Sequence, residues 1–136
     1  MVKPCSAFLA GLSLSAVLLA APLLAQYEGW TVPATAKTEK NPMAGTADAV
    51  KKGKTVFEQK CRRCHGADGK GKGPEADPKI PPADLTAIKN DVNPDGVLFY
   101  KIWNGRAGVK GSMPNFKVQL VKDDVWRAIE YIKTLK

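Results

Sequence analysis

The chain has 136 residues, of which 44% are hydrophobic and 25% are charged. This length favours a single domain, and the composition is typical of a soluble globular protein. The formal net charge of +8 favours partners with acidic surfaces, and no nucleic-acid-binding motif is present, so a nucleic-acid partner is not expected.

Residues 1–25 have the pattern of an export signal. Lys3 precedes an uncharged run from Ala7 to Ala25 that is rich in leucine and alanine. The run is about as short as the shortest membrane spans, so a cleaved signal peptide and an uncleaved anchor are both compatible with it. The small Ala25 favours cleavage, whereas Leu23 is a poor fit at the −3 position. We therefore expect a periplasmic protein that contacts the membrane only if this segment is retained.

Residues 26–45 show no hydrophobic period and contain Pro33 and Pro42. This pattern predicts an extension or linker that lies outside a compact domain of residues 46–136. Tyr27 and Trp30 have two further interpretations, packing on the domain or contact with a membrane surface. A poorly ordered arm is the favoured one.

A helix is predicted from Thr46 to about Lys60. Thr46 is the candidate N-cap, and a stripe of small and apolar residues that includes Gly53 and Phe57 follows at helical spacing. A glycine inside a helix costs up to about 1 kcal/mol relative to alanine. We therefore expect a second helix to approach closely at Gly53.

The helix leads into Cys-x-x-Cys-His at residues 61–65, the attachment sequence of a c-type haem. Cys61 and Cys64 can form thioethers with the haem vinyl groups, and His65 is then placed to bind the iron. A redox dithiol is the first alternative, but no strand–helix alternation surrounds the motif. A zinc site is the second, but it needs two further ligands, and the third cysteine, Cys5, lies in the predicted signal.

The segment after the motif is rich in glycine and proline. Four glycines alternate with lysines between residues 66 and 73, without the spacing of a phosphate-binding loop, and this predicts a solvated, mobile loop. Prolines at 74, 78, 81 and 82 keep the following chain extended, and residues 83–90 are expected to contain a short helical piece.

Two further helices are predicted. The first has Asn93 as its candidate N-cap, Pro94 at its first position and Gly105 after its last turn. The second covers residues 121–135, with a stripe formed by Val125, Ala128, Ile129 and Ile132.

Met113 is the candidate for a second iron ligand. The chain has no second histidine, and Met1 and Met43 lie in the predicted signal and extension. Met113 lies in a Gly-rich loop that can fold over the opposite face of the haem, and Pro114 stiffens it. The alternative is an ordinary core methionine, but the surrounding Gly-Ser-Met-Pro-Asn sequence is polar for a core.

At residues 46–136 the sequence resembles the class I c-type cytochromes, in particular the small bacterial monohaem type with histidine and methionine ligands. The shared motifs are Cys-x-x-Cys-His at 61–65, Asn-Gly-Arg at 104–106, Met-Pro at 113–114 and Trp-x-x-x-x-Tyr-Ile at 126–132. The resemblance implies an all-α fold of about four helices around one covalently bound haem c. It also implies that Gly53 and Phe57 meet the last helix at Tyr131.

The resemblance further implies a proline carbonyl that accepts the His65 Nδ1–H hydrogen bond, from Pro81 or Pro82, of which Pro82 is taken as the cofactor-binding candidate. Trp103 and Arg106 are the candidates that hold the haem propionates. The function it implies is one-electron transfer between respiratory or photosynthetic redox proteins, without enzymatic activity. The alternatives are a haem-bearing subunit of a dehydrogenase or oxidase complex, and a five-coordinate haem sensor or peroxidase.

Overall fold

The computed structural model describes residues 30–106, 108 and 112–136. These residues form an all-α fold, as predicted, without a β-strand among them. The predicted signal and Tyr27 lie outside the described residues. No helix in the described part of the chain is long and apolar enough to cross a membrane. The elements are α1 (Ala34–Thr38), α2 (Ala47–Lys60), α3 (Arg62–His65), a 3-10 helix (Leu85–Ala87), α4 (Asp95–Asn104) and α5 (Lys122–Ile132).

Helix α2 has the boundaries that its capping residues predict. The Thr46 hydroxyl oxygen accepts a hydrogen bond from the Ala49 amide at 3.3 Å, and Asp48 lies in the first turn, where a carboxylate favours the helix dipole. The helix ends at Lys60, and Cys61 joins it directly to α3. The predicted helix therefore delivers the cysteine motif without an intervening loop.

Helix α4 begins one residue later than predicted. Pro94, not Asn93, is the N-cap residue, with extended backbone angles of φ −60° and ψ 161°. The Asn93 side-chain oxygen instead accepts a hydrogen bond from Lys101 Nζ at 2.7 Å. The contact with Lys101 comes from the second turn of the helix, so the capping pattern alone does not reveal it. Gly105 follows α4, as predicted.

Helix α5 ends earlier than predicted, at Ile132 rather than residue 135. The amides of Thr134 and Leu135 bond the carbonyls three residues back, at 2.9 and 3.1 Å, so the chain continues in tight turns. The predicted apolar stripe is buried: Val125, Ala128, Ile129 and Ile132 are each at most 5% exposed.

Helices α2 and α5 pack closely at Gly53, as the glycine predicts. A Cβ added to Gly53 would lie 1.9 Å from the Arg127 carbonyl oxygen, so only glycine fits between the two backbones. One turn further along α2, the ring of Phe57 packs on Tyr131 with a centroid distance of 5.2 Å. The contact of Gly53 and Phe57 with the Tyr131 helix is therefore confirmed.

The segment before α2 packs on the domain, which corrects the prediction of an extension outside it. Helix α1 lies against α4, and Ala36 is only 4% exposed. Asn41 is also buried, and its Nδ2 donates hydrogen bonds to the Trp126 carbonyl at 3.1 Å and to Glu130 Oε1 at 2.8 Å. A five-residue helix is too short to show a hydrophobic period, so these contacts are not visible in the sequence.

Candidate haem site

The two motif cysteines lie at the junction of α2 and α3. Cys61 is buried at 8% exposure, Cys64 is half-buried, and neither forms a disulfide. Burial, with a smaller contribution from Cys64, raises the pKa of Cys61 to about 12, so this side chain is held as the neutral thiol. One turn of helix places both sulfur-bearing side chains on the side of a cavity.

The cavity has a larger lobe of about 510 Å³ and a smaller one of about 140 Å³. Apolar side chains from α4 and α5 form much of the larger wall, including Leu98, Ile102 and Ile132. Leu85 and Ile88, from the short helical piece predicted at residues 83–90, complete it. The residues that line both lobes are Trp30, Cys61, His65, Pro81, Arg106 and Met113. The cavity therefore brings the predicted histidine and methionine together between apolar walls.

The imidazole of His65 is oriented by a backbone carbonyl. Its Nδ1 lies 3.0 Å from the Ala83 carbonyl oxygen, which can only accept a hydrogen bond. Nδ1 therefore donates the proton, and Nε2 keeps the lone pair that a metal ligand needs. Burial lowers the pKa of His65, which also favours the neutral, ligating form, although the bond to Ala83 opposes this.

The acceptor at Ala83 corrects the assignment of this role to Pro82. Pro82 does line the smaller lobe, but its own carbonyl oxygen lies against Gly71. The next carbonyl along the chain is the one that faces His65. The assigned acceptor, Pro82, is therefore one residue away from the observed one, Ala83.

The glycine-rich loop after the motif is packed, which corrects the prediction of a solvated, mobile loop. Gly66, Gly69 and Gly71 are buried, whereas Lys70 and Lys72 are exposed. The Gly71 amide donates to the His65 carbonyl at 2.8 Å, and the Gly73 amide donates to the Cys64 carbonyl at 2.9 Å. The loop thus supplies hydrogen-bond donors to the free carbonyls at the end of α3 and holds the haem motif in place.

Met113 follows α4 and forms part of the cavity wall. Its carbonyl oxygen accepts a hydrogen bond from the Arg106 amide at 2.9 Å, and the Phe116 amide bonds the Ile102 carbonyl at 3.3 Å. These two bonds fasten the loop to the end of α4 at Met113 itself and three residues after it. The side chain is half-buried and packs against the hydrophobic core at the cavity that His65 also lines.

Of the two predicted propionate partners, only Arg106 lines the cavity. Its Nε is buried and makes no hydrogen bond with any described residue. A buried guanidinium N–H without a partner is costly, so the site fits a ligand that brings an anionic acceptor. Trp103 instead stacks on Phe99 with a ring separation of 5.7 Å and does not contribute to the cavity lining.

Three residues that line the cavity were not predicted from the sequence motifs: Ala83, Trp30 and Lys101. The Ala83 carbonyl has no side-chain signal, because any residue supplies it. Lys101 lines the larger lobe from α4, and the sequence indicated only that it lies within this helix. Trp30 lies in a segment without periodicity, and its aromatic character was the one available signal.

The family model named Cytochrome c matches residues 50–136. The chain belongs to the cytochrome c family. This class I c-type cytochrome carries covalently bound haem c, and Cys61 and Cys64 are positioned for its attachment. The buried Arg106 Nε and the apolar walls between the cysteines and Met113 fit a flat, hydrophobic group with carboxylates.

Two solved structures are similar to this cytochrome. A chain of the reducing HAO-like protein complex of Kuenenia stuttgartiensis has 28% identity and a TM-score of 0.59, covering 69% of this chain and 46% of that one. This chain thus spans less than half of that relative. Cytochrome cL of the marine methylotroph Methylophaga aminisulfidivorans has 20% identity and a TM-score of 0.54, covering 90% and 72%, and shows the shared fold. A search of curated proteins found no significant match.

Proposed function

We propose that this cytochrome is an exported one-electron carrier in which His65 and Met113 are the two axial ligands of the haem iron. The observation that carries the proposal is that both side chains line the same two lobes of the cavity. When bound, haem c supplies an iron that changes its charge by one between the ferric and ferrous states. With His65 and Met113 both bound to the iron, no position would remain for a substrate, which would favour a carrier over an enzyme.

The protein's own residues set the conditions for this exchange. Ala83 fixes the His65 ring through Nδ1–H, and the neutral thioether of Met113 favours the ferrous state relative to a second histidine. Leu98, Ile102 and Ile132 give the cavity apolar walls that would shield bound haem from water, and this would disfavour the additional charge of the ferric state. We therefore expect a higher midpoint potential than that of a bis-histidine haem.

The ligand assignment is tested by the absorption spectrum of the ferric protein. The methionine–iron charge-transfer band should be present in the wild type and absent in Met113→Ala. Met43→Ala is the matched control, because Met43 packs on the core without lining the cavity and should leave the band intact. A wild-type protein without the band refutes Met113 as a ligand and favours the five-coordinate sensor or peroxidase.

Acidic redox proteins are the proposed partners. Lys70, Lys72 and Lys117 are exposed around the haem motif and the Met113 loop, and Lys110 lies outside the described residues. Val118, next to Lys117, is 80% exposed, so an apolar side chain accompanies one of these cations at the surface. Electron-transfer rates with an acidic partner should fall as ionic strength rises. Rates that do not change with salt would contradict this docking mode.

A haem-bearing subunit of a larger redox enzyme is the second candidate. The 28% identity with a chain of the HAO-like complex favours it, since that relative is assembled with other chains. Size-exclusion chromatography of the protein from its native source separates a free carrier from a complex subunit. N-terminal sequencing of the same sample tests whether residues 1–25 are removed on export to the periplasm or retained as an anchor.

A further inference from the structure

Trp30 contacts the haem cavity although it precedes the part of the chain that matches the cytochrome c family. The family match begins at residue 50, whereas Trp30 lines both lobes of the cavity. Its half-buried indole also lies under the ammonium group of Lys101, at 5.7 Å from Nζ to the ring centroid. The site is therefore built partly from a segment outside the family's own domain.

Helix α1 holds the first half of this segment on α4. A Cβ added to Gly96 would lie 2.2 Å from the Ala36 carbonyl oxygen, so the two backbones are in direct contact. Ala36 is buried at 4% exposure in the same contact. The attachment point lies only six residues after Trp30, which limits how far the indole can move from the cavity.

A buried carboxylate holds the second half of the segment. Glu130 is 4% exposed, and its two oxygens accept hydrogen bonds from Asn41 Nδ2 at 2.8 Å and from the Gly45 amide at 2.9 Å. Lys133 pairs with the same carboxylate and with Asp95. A buried charge is costly unless it is paired and hydrogen-bonded, so this arrangement is stable only with the segment in place.

Lys101 links the segment to the wall of the cavity. It lines the larger lobe, and its ammonium donates to Asn93 Oδ1 at 2.7 Å while facing the Trp30 ring. Burial lowers the pKa of Lys101 to about 8. An ammonium that is partly removed from water gains more from an aromatic face than an exposed one does, so this contact favours the docked position of the indole.

We propose that residues 30–45 form an N-terminal strap whose Trp30 indole is one wall of the haem site and keeps water away from the haem. Trp30 is then a positioning residue that raises the midpoint potential, because an apolar wall in place of water disfavours the charged ferric state. The inference uses the haem that the family binds and does not depend on the carrier role or on Met113 as a ligand.

The test is a spectroelectrochemical titration of the haem-loaded full chain. The midpoint potential of Trp30→Ala should fall below that of the wild type, and Trp30→Phe should recover most of the difference. Trp126→Phe is the matched control, because this buried tryptophan lies outside the cavity lining, and the potential of this variant should be unchanged. An unchanged potential in Trp30→Ala overturns the proposal, and so does an equal shift in Trp126→Phe.

A second variant tests the strap at a distance from the haem. Asn41→Ala removes both hydrogen bonds to α5, and Asn41 does not line the cavity. The midpoint potential of Asn41→Ala should be lower than that of the wild type. When Asn41→Ala is combined with Trp30→Ala, the potential should be no lower than that of Trp30→Ala alone. Additive shifts in the double variant would show that the two residues act independently, which contradicts a strap that works through the indole.

Discussion

The contact at Gly53 supports a quantitative prediction for Gly53→Ala. The added Cβ would lie 1.9 Å from the Arg127 carbonyl oxygen, about 1.5 Å inside a normal van der Waals contact. The clashing atom belongs to the backbone of α5, so it cannot be relieved by a change of rotamer. The two helices must therefore separate along the face that carries Phe57 and Tyr131.

Two effects with opposite signs determine the size of the change. Alanine improves the helix propensity of α2 by about 1 kcal/mol. Overpacking costs about 1–3 kcal/mol, and a clash with backbone places Gly53→Ala near about 3 kcal/mol. The net destabilisation of about 2 kcal/mol lowers the melting temperature by about 8–16 °C, at about 4–8 °C per kcal/mol for a domain of this size.

Thermal unfolding of the haem-loaded proteins, followed by circular dichroism, measures this difference. Lys54→Ala is the control, because Lys54 is exposed on the same helix and its loss should change the stability by less than about 0.5 kcal/mol. A Gly53→Ala protein that melts at or above the wild-type temperature would show that α2 and α5 are not held at this distance.

Three further predictions follow from the same contacts. The Cys61→Ala, Cys64→Ala double variant should lose most of its helix content, because the core then surrounds an unfilled cavity of about 510 Å³; native circular dichroism would contradict this. Arg106→Gln should lower the midpoint potential, because it removes a cation from the lining of the haem cavity, and Lys54→Ala, exposed on α2, is a control that should leave the potential unchanged. Burial lowers the pKa of Lys133, but its hydrogen bonds to two carboxylates outweigh this and raise it above 10.5. The stability that the charged Lys133 contributes is complete below the unfolded pKa of about 10.4 and is lost as the pH rises through the higher folded value. In Lys133→Met, the free energy of unfolding should therefore fall less steeply with pH in the alkaline range than it does in the wild type.

The sequence predicted structure correctly where a residue type at a given position has one main structural or chemical role. Thr46 and Gly105 marked helix ends, Gly53 marked a helix contact, and Cys61 to His65 located the cofactor. In each case the physical cause lies within a few residues or in a single steric requirement. The all-α fold and the family followed from these signals together.

Long-range pairing was not predictable in the same way. Nothing near Asn41 in the sequence indicates that it bonds a carboxylate 89 residues away. The bond from His65 to Ala83 depends on a backbone carbonyl, which every residue has. The prediction of a mobile loop after the haem motif was wrong because the sequence pattern fits two structures. Lysines that alternate with glycines are exposed in a mobile loop, and they are equally exposed in a packed loop whose glycines face inward.

The packing of residues 33–45 determines how far the haem could travel from a membrane. If residues 1–25 stay in the bilayer as an anchor, a free linker from residue 25 to residue 46 could extend to about 75 Å. With Trp30 held at the cavity, residue 25 can lie at most about 18 Å from residue 30. An anchored form would then meet partners only within a thin layer at the membrane surface, whereas a cleaved form would diffuse through the whole compartment.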